Sequence, residues 1–312
     1  MQEVDVIIPV YKPGAEFAKV IEKLEHQTVP VHRIILFNTE QKYWSAFEYE
    51  TPRRKRYENV RIYHISKREF DHGRTRREAV KKSAAEIFVM MTQDAMPEDK
   101  FLLEKLIAPL SEKDVAVSYA RQLPREEAGP VERFTREFNY PAESCIKSGR
   151  DIEKMGIKTF FCSNVCAAYR RDIYEKLGGF VRRAIFNEDM LYAAACIKAG
   201  CRVAYTADAR VIHSHQYTNK EQFRRNFDLG VSQAQHPEVF EGVPSESEGI
   251  RLVKRTAEHL RQIGESRRIL PMYITSIYKF LGYQLGKKYK RLSFRRIMKY
   301  TMNREYWNSQ IR

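Results

Sequence analysis

Two adjacent carboxylates, Glu188 and Asp189, stand at the start of an apolar segment whose spacing predicts a buried helix. A carboxylate at the edge of such a helix can take the proton of an attacking hydroxyl group as a general base. The same residues also fit an ordinary helix start, because Asn187 is a favoured N-cap residue and acidic residues are stabilised in a first helical turn. The acidic pair alone therefore leaves catalysis and capping both open.

A lone carboxylate and two histidines supply a second chemical group. Asp94 follows an apolar strand at residues 87–91, which delivers it to the edge of a sheet. His213 and His215 end another extended segment, and because they are two residues apart their side chains share a face. Carboxylate and imidazole groups bind divalent cations, and such a cation neutralises a leaving diphosphate. The alternative is structural, since Asp94 also fits a turn before Pro97.

The elements that position these groups alternate along the first part of the chain. Apolar segments typical of buried strands lie at residues 4–10, 33–37, 60–65, 87–91 and 115–120, with helical spacing at residues 15–27 and 74–85. This alternation predicts an α/β fold with a mostly parallel sheet and helices on both faces. Ligands of such sheets bind beyond the carboxyl ends of the strands, so the polar residues found there should converge: Tyr11, Asn38, Glu40, Gln93 and Asp94.

Two common nucleotide-binding motifs are missing from the sequence. It contains neither Gly-x-Gly-x-x-Gly nor Gly-x-x-x-x-Gly-Lys, which argues against a dinucleotide fingerprint and against a P-loop. Residues 123–158 are polar and contain several prolines, and we expect them to form a loop-rich insertion over the site. Five cysteines without an N-terminal export signal predict reduced thiols in the cytoplasm.

The positive charge of the chain is concentrated at its C-terminal end. The 312 residues carry a formal net charge of +15, and residues 251–312 hold 16 Lys or Arg residues against three acidic ones. This asymmetry points to an anionic partner, either a membrane surface or a nucleic acid. The basic residues do not follow the pattern of a known nucleic-acid module, which favours the membrane.

Residues 269–286 form the amphipathic part of this tail. Their helical spacing places an apolar face at Ile274, Ile277, Tyr278, Leu281 and Leu285. Internal proline, lysine and other polar residues exclude a transmembrane span, and the basic residues that follow suit a membrane interface. The alternative is a helix that packs on the body of the protein or on another subunit.

The chain resembles the inverting glycosyltransferases of family 2 with the GT-A fold, and among them the bacterial rhamnosyltransferases of cell-wall and O-antigen polysaccharide synthesis. The resemblance covers roughly residues 1–235 and rests on the order and spacing of short motifs. These motifs are Val6-Ile7-Ile8-Pro9-Val10-Tyr11, Glu69-Phe70-Asp71-His72-Gly73-Arg74-Thr75-Arg76, Thr92-Gln93-Asp94, Ser163-Asn164, Phe186-Asn187-Glu188-Asp189 and His213-Ser214-His215.

The resemblance implies a role for each of these segments. Residues 1–218 are expected to form the GT-A catalytic domain, and residues 219–312 a basic helical extension. The donor, dTDP-β-L-rhamnose, is expected to contact Pro9, Val10, Tyr11, Asn38, Glu40, Asp71, Gly73, Arg76, Gln93 and Asp94. Ser163 and Asn164, with Glu188, belong to the acceptor side. Asp94 with His213 or His215 is expected to hold Mg²⁺ or Mn²⁺, while Asp189 acts as the general base of an inverting displacement.

The expected acceptor is a glycan growing on a polyprenyl diphosphate. The enzyme should therefore work in the cytoplasm, peripheral at the inner face of the cell membrane, with its tail on anionic lipid. The C-terminal helices could also join copies into a homo-oligomer. No nucleic-acid partner is expected.

The sequence departs from the family pattern in three places. Thr92 replaces the first acid of the Asp-x-Asp motif, which weakens the expected metal site. Asn38-Thr39-Glu40 stands where many relatives have adjacent acids, and Arg74 and Arg77 stand where relatives often have Gly and Asn. The alternatives are a transferase of the same fold with a UDP-hexose or UDP-HexNAc donor, a basic nucleic-acid-binding protein, and a non-catalytic scaffold.

Overall fold

The computed structural model describes residues 3–50, 59–241 and 246–308. In these residues one mixed sheet contains β1 (Val4–Tyr11), β2 (Arg33–Thr39), β3 (Val60–Ile65), β4 (Ile87–Met91), β5 (Met96–Pro97), β6 (Val115–Leu123), β7 (Cys145–Lys147), β8 (Cys166–Arg170) and β9 (Arg202–Ile212). The strand order is β3-β2-β1-β4-β8-β6-β9-β5, and β7 also pairs with β9.

Helices accompany the strands and then form the C-terminal region. The first group is α1 (Ala15–Glu25), α2 (Gln41–Glu50), α3 (His72–Val80), α4 (Leu102–Ile107), α5 (Pro130–Asn139), α6 (Ile152–Met155), α7 (Arg171–Lys176) and α8 (Glu188–Lys198). The second group is α9 (Asn219–Gln235), α10 (Pro237–Phe240), α11 (Glu246–Gln262), α12 (Ile269–Lys287), α13 (Phe294–Tyr300) and α14 (Arg304–Asn308). Short 3₁₀ helices lie at Ala108–Ser111, Gly149–Asp151, Gly156–Phe160, Ser266–Arg268 and Tyr289–Arg291.

Both faces of the sheet are buried, which explains the continuous apolar runs of its central strands. Successive residues of a strand point to opposite faces. Ile7 and Ile35 therefore belong to the core that includes residues of α3, α7 and α8. Ile8 and Leu36 belong to the core that includes residues of α1, α2 and α4. The predicted α/β fold with helices on both faces is confirmed.

The sheet is mixed where a mostly parallel one was predicted. Strands β3, β2, β1 and β4 are parallel, but β8 runs antiparallel to both β4 and β6. The reason is the path of residues 124–165, which return to the edge at which β6 ended. Cys166, the first residue of β8, consequently pairs with Met91, the last residue of β4. A parallel β8 would need a crossover to the opposite edge.

The segment over this edge contains more regular structure than predicted. Residues 123–158 were expected to be loop-rich, yet they include α5, β7 and α6. The extended segment that was expected before His213 is one long strand, β9, whose pairing with β6 shifts register between Ala120 and Arg121. Such an irregularity lets one strand continue where the apolar pattern breaks.

The C-terminal region is helical, as predicted, and α9 and α12 form its centre. These helices run in the same direction and approach closely, because Gly282 lies against Phe223 and Gly286 lies against Phe227. A Cβ atom at Gly286 would stand 2.1 Å from the Phe227 carbonyl oxygen. Over the described part of the chain, no helix has both the length and the apolar character that crossing a bilayer requires.

Candidate active site

The carboxyl edge of the sheet brings together residues next to four strands. Tyr11 ends β1, Gln93 and Asp94 follow β4, and Gln122 lies near the end of β6. The antiparallel strand β8 begins at the same edge, so the residues just before it, Ser163 and Asn164, also lie there. The convergence predicted from the strand ends is therefore found, with two residues from a strand start in addition.

Asp94 meets both histidines because a short strand pair brings their segments together. Met96 of β5 pairs with Ile212, the last residue of β9. Asp94 Oδ2 then lies 3.5 Å from His213 Nε2 and 3.1 Å from His215 Nε2. One ligand atom from each of the three residues lies within 4.8 Å of the others.

This cluster has the composition of a divalent-cation site. Burial disfavours the charged carboxylate of Asp94, but its hydrogen bond with His213 and the two neighbouring histidines outweigh burial and hold the pKa of Asp94 below its ordinary value. Burial also lowers the pKa of His215 to about 4, which leaves its imidazole neutral near pH 7. An ionised carboxylate beside neutral imidazole is the donor set that such a cation needs.

The acidic pair lies on the other side of Ser163 and Asn164. Asp189 Oδ2 accepts a hydrogen bond of 2.9 Å from the Asn164 backbone N–H group. Glu188 Oε1 accepts one of 3.0 Å from the Asn164 side-chain amide, whose oxygen in turn accepts from the Tyr169 hydroxyl. One asparagine thus orients both carboxylates, and the buried Tyr169 fixes that asparagine.

The environment separates the two carboxylates into different charge states. Burial and the adjacent Glu188 raise the pKa of Asp189 to about 7. Burial acts on Glu188 as well, but the positive charge of Arg76 and the neighbouring His72 outweigh it and lower the pKa of Glu188. Glu188 is therefore the ionised, paired member, and Asp189 is the member that exchanges a proton near neutral pH.

Residues 69–76 pack against the acidic pair and against the segment that precedes it. Asp71 is the N-cap of α3, and its Oδ1 accepts from the Gly73, Arg74 and Ala184 backbone N–H groups. Gly73 is packed so tightly that a Cβ atom there would stand 2.4 Å from the Val181 carbonyl oxygen. Asp71, Gly73 and Arg76 were all predicted to contact the donor. Asp71 and Gly73 contact the segment before α8, and Arg76 contacts Glu188, the first residue of α8.

The remaining predicted donor residues lie at the ends of β1 and β2. Gln93 is tied to β1, because its amide exchanges two hydrogen bonds with the Tyr11 backbone, of 2.7 and 3.0 Å. The Tyr11 ring is exposed and packs against Tyr43. Val10 and Asn38 are buried. Glu40 accepts from the Lys67 backbone N–H group.

Pro9 lies within β1, where it is the register partner of Phe37 of β2. An open pocket adjoins this edge at Gln93 and Asp94, and its other walls include Gly14 to Phe17 of the α1 start and residues 125–127.

Asn187 occupies the N-cap position without capping the helix through its side chain. Its backbone has φ 65° and ψ 22°, and its amide donates to Ser232 of α9 at 3.4 Å. In the described residues, the non-glycine positions with positive φ are Lys12, Glu40 and Asn187, and each borders this edge of the sheet. Backbone strain of this kind concentrates at functional sites. A capping role at the start of α8 therefore does not explain the left-handed backbone conformation of Asn187.

One buried polar residue of the site was not predicted. Gln122 lies between His213 and Ser163, and it contacts both. The apolar pattern suggested that this strand ends at residue 120, whereas β6 continues to Leu123. A polar residue two positions past an apolar run was the available signal, because it falls on the edge where ligands bind.

Comparison with known proteins identifies the sequence relatives of this chain. Residues 5–178 match the family described as glycosyl transferase family 2. The O-antigen chain rhamnosyltransferase RfbN of Salmonella typhimurium is 37% identical over 311 residues, covering 98% of this chain and 96% of its own length. The O-antigen chain rhamnosyltransferase WbaN of Salmonella anatum is 38% identical over 314 residues, covering 99% of this chain and 97% of its own.

Solved structures share the fold at low sequence identity. The mannosyltransferase PcManGT from Pyrobaculum calidifontis, in complex with GDP-Man and Mn²⁺, has a TM-score of 0.55 at 14% identity, over 99% of this chain and 86% of its own. S. aureus TarS 1-349 in complex with UDP-GlcNAc has a TM-score of 0.50 at 14% identity, over 93% of this chain and 91% of its own. These likenesses confirm the predicted GT-A fold.

Proposed function

The chain belongs to glycosyl transferase family 2, and from this premise we propose that it transfers L-rhamnose from dTDP-β-L-rhamnose to a glycan of a bacterial cell-surface polysaccharide. The identity to two O-antigen rhamnosyltransferases extends over nearly the whole chain, which supports this sugar. The observation that carries the chemistry is the pair Glu188 and Asp189, oriented together by Asn164.

Asp189 is the proposed general base. Its carboxylate accepts the proton of an acceptor hydroxyl as that oxygen attacks the anomeric carbon from the face opposite the diphosphate. This single displacement inverts the anomeric centre and yields an α-L-rhamnoside. A pKa of about 7 makes Asp189 a stronger base than an ordinary aspartate, while much of it stays ionised at neutral pH.

Glu188 is proposed to have a different role, because its negative charge is already paired with Arg76. Its Oε1 lies 3.1 Å from Arg76 Nε, and both side chains are more than nine-tenths buried. Its fixed negative charge raises the pKa of the neighbouring base. With Asn164 and Ser163, it also forms the wall on which we place the acceptor.

The donor nucleotide is proposed to lie over the ends of β1 and β2. The exposed Tyr11 and the half-buried Tyr43 form an aromatic pair on which a base can stack, with the Lys12 ammonium group 5.0 Å from the Tyr43 ring. Asp94, His213 and His215 would hold Mg²⁺ or Mn²⁺ beside them. When bound, such a cation neutralises the charge that develops on the leaving diphosphate.

The acceptor is proposed to be linked to a polyprenyl diphosphate, and the enzyme to work at the inner face of the cell membrane. The face of α12 that turns away from α9 exposes a row of large apolar side chains: Leu270, Tyr273, Ile274, Ile277, Tyr278, Phe280 and Leu281. We call this row the apolar face of α12. Exposed apolar surfaces of this kind mark interaction sites.

An anionic membrane is the occupant that the surrounding charge favours. Arg267 and Arg268 precede α12 with largely exposed side chains, and exposed basic residues also end the helix and follow it, at Lys287, Lys288 and Lys290. Apolar side chains flanked by cations on both sides fit the boundary between acyl chains and anionic headgroups. A second copy of the chain would bring like charges together. The whole extension, residues 219–312, would then serve the catalytic domain as its membrane anchor.

The experiment that tests the transferase activity uses the full-length protein. It is incubated with dTDP-β-L-rhamnose, UDP-glucose, UDP-galactose or UDP-GlcNAc and with lipid-linked acceptors, in the presence and absence of EDTA. Mass and linkage analysis should show an α-linked rhamnose from the dTDP donor only. Transfer from a UDP-sugar instead would overturn the proposed donor and leave the family unchanged.

A further inference from the structure

Gln122 is buried between the histidine cluster and the acidic pair, with all its polar atoms in contact. Its Oε1 lies 3.0 Å from His213 Nδ1 and also accepts from Arg136 Nη1. Its Nε2 donates to the Ser163 hydroxyl at 2.9 Å and to the Tyr140 hydroxyl. A buried amide of this kind is satisfied only when each neighbour has the matching hydrogen-bond role.

Arg136 fixes the orientation of this amide. A guanidinium group has only donors, so the Gln122 atom that it contacts must be the carbonyl oxygen. His213 Nδ1 contacts the same oxygen, and two acceptors would repel each other at 3.0 Å. The shorter contact therefore requires a proton on Nδ1, although Arg136 Nη2 also lies 3.5 Å from that nitrogen.

We propose that Gln122 is a positioning residue that holds His213 in the Nδ1–H tautomer and so presents the Nε2 lone pair to a divalent cation beside Asp94. Nε2 lies 3.5 Å from Asp94 Oδ2, so one cation can bind both atoms. The cation then takes the place of the proton on Nε2, because metal binding to histidine displaces a proton. A buried partner on the other ring nitrogen is how metal-binding histidines are commonly oriented.

The same amide links the cation site to the general base. Gln122 holds Ser163, whose neighbour Asn164 donates to both Asp189 and Glu188. A continuous path of contacts therefore runs from His213 through Gln122 to the acidic pair. We infer that Gln122 holds the cation site and the general base Asp189 in a fixed position relative to each other.

The inference rests on the proposed cation site but not on the sugar that is transferred. The first test records ¹⁵N–¹H spectra of ¹⁵N-histidine-labelled, EDTA-treated full-length protein, with the His213 signals assigned by comparison with His213→Gln. We expect a proton on His213 Nδ1 in the wild type. An Nδ1 without a proton would overturn the proposal, whatever the variants do.

The second test measures Mn²⁺ binding alone, from the electron paramagnetic resonance signal of the free ion. Gln122→Leu removes the acceptor and should weaken Mn²⁺ affinity by about 10–100-fold, as for other outer partners of metal ligands. Gln122→Glu keeps an oxygen for His213 and Arg136 and should bind Mn²⁺ at least as tightly as the wild type. Ser118→Ala is the matched control, because it removes another buried hydrogen bond of β6, that to Thr206.

The outcomes separate this inference from the proposed function. Equal Mn²⁺ affinities for Gln122→Leu and Ser118→Ala would overturn the positioning role. A wild type that does not bind Mn²⁺ would overturn the cation site itself. Transfer of a sugar other than rhamnose would overturn the proposed donor, but the expected His213 spectra and Mn²⁺ affinities would be the same.

Discussion

Arg76 Nε lies 3.1 Å from Glu188 Oε1 in a contact from which water is almost excluded. The Nε–H group is not aligned for a hydrogen bond, so the contact is an ion pair that acts through charge. Its effect reaches Asp189, since a Glu188 that stays ionised keeps the neighbouring carboxyl basic. Arg76 of α3 thus influences the pKa of Asp189 in the first turn of α8 through the charge of Glu188.

Asp189→Asn should lower kcat by about 10²–10⁴-fold, because an amide cannot take the acceptor proton. Donor binding should persist, since the donor is proposed to contact other residues. The measurement is transfer at saturating donor together with calorimetric titration of the nucleotide. Asp208→Asn, at an exposed position of β9, is the control and should keep full activity. An active Asp189→Asn variant would remove Asp189 from its proposed role.

The same substitution should stabilise the protein, and more so at higher pH. Asp189 has a pKa of about 7 in the folded protein against an ordinary value of 3.8. A raised pKa contributes stability that is fully present below about pH 4 and is lost as pH rises through about 7. Asparagine does not titrate, so its stability advantage should grow across this window and level off above it.

Urea unfolding at about pH 5, 6, 7 and 8 gives the free energy of unfolding of the wild type and of Asp189→Asn, and hence the difference between them. A difference that stays flat with pH would contradict the raised pKa. Asp208→Asn again serves as the control, because its position is exposed and its charge has no buried partner to lose.

Asp94→Asn and His215→Gln should each weaken Mn²⁺ binding by roughly tenfold or more, since each removes or neutralises a proposed ligand. Transfer should then need a higher Mn²⁺ concentration, and EDTA should abolish it in the wild type. His26→Gln, an exposed histidine that follows α1, is the control. Mn²⁺ affinity that is equal in all four proteins would exclude this cluster as the cation site.

Ile277→Glu and Leu281→Glu should release the protein from anionic vesicles, because each places a carboxylate on the apolar face of α12. The loss should be about 1–3 kcal/mol of binding free energy for each apolar side chain. Phosphatidylglycerol vesicles should bind the wild type better than phosphatidylcholine vesicles, and salt should weaken that binding.

Phe101→Glu is the charge-matched control for these variants, because Phe101 is exposed at the start of α4. Vesicle sedimentation gives the binding, and light scattering of the same proteins gives the oligomeric state. Unchanged sedimentation with a loss of dimers would show that the apolar face joins two copies instead.

Gly286→Ala should destabilise the protein by about 1–3 kcal/mol, because its Cβ would force α9 and α12 apart. The added atom would stand 2.1 Å from the Phe227 carbonyl oxygen. Gly249→Ala is the matched control in helix α11, where a Cβ meets nothing within 4 Å. That control should stabilise the protein by about 0.5–1 kcal/mol, as alanine does within helices. Similar melting temperatures for the two variants would contradict the close contact.

The central parallel strands could be predicted because they are buried on both faces. The uninterrupted apolar run of β4 gave its observed bounds, Ile87–Met91. The edge strand β3, Val60–Ile65, was also predicted with its observed bounds, although Arg61 and His64 are exposed. The pairing of Asp94 with the two histidines followed from the same logic, since strand ends meet at one edge.

The direction of β8 and the contacts that depend on it could not be predicted from local pattern. Periodicity does not distinguish a parallel from an antiparallel neighbour, and the return path of residues 124–165 is set by tertiary packing. The predicted acceptor role of Asn164 therefore gave no sign that this residue also orients the two carboxylates. The contacts of Asp71 with Ala184 and of Arg76 with Glu188 likewise depend on how α3 packs, so local pattern does not predict them.

The path of residues 124–165 has an evolutionary consequence. Between the end of β6 and the start of β8, this segment adds β7 to the sheet, where β7 pairs with β9. In the described residues, strands β1 and β4 pair with β2, with each other and with β8, and not with this segment. Its length can therefore change without altering the register of the two strands that lead to Tyr11 and Asp94. Under the proposed function, the acceptor side of the site can then vary from protein to protein while the donor side is kept.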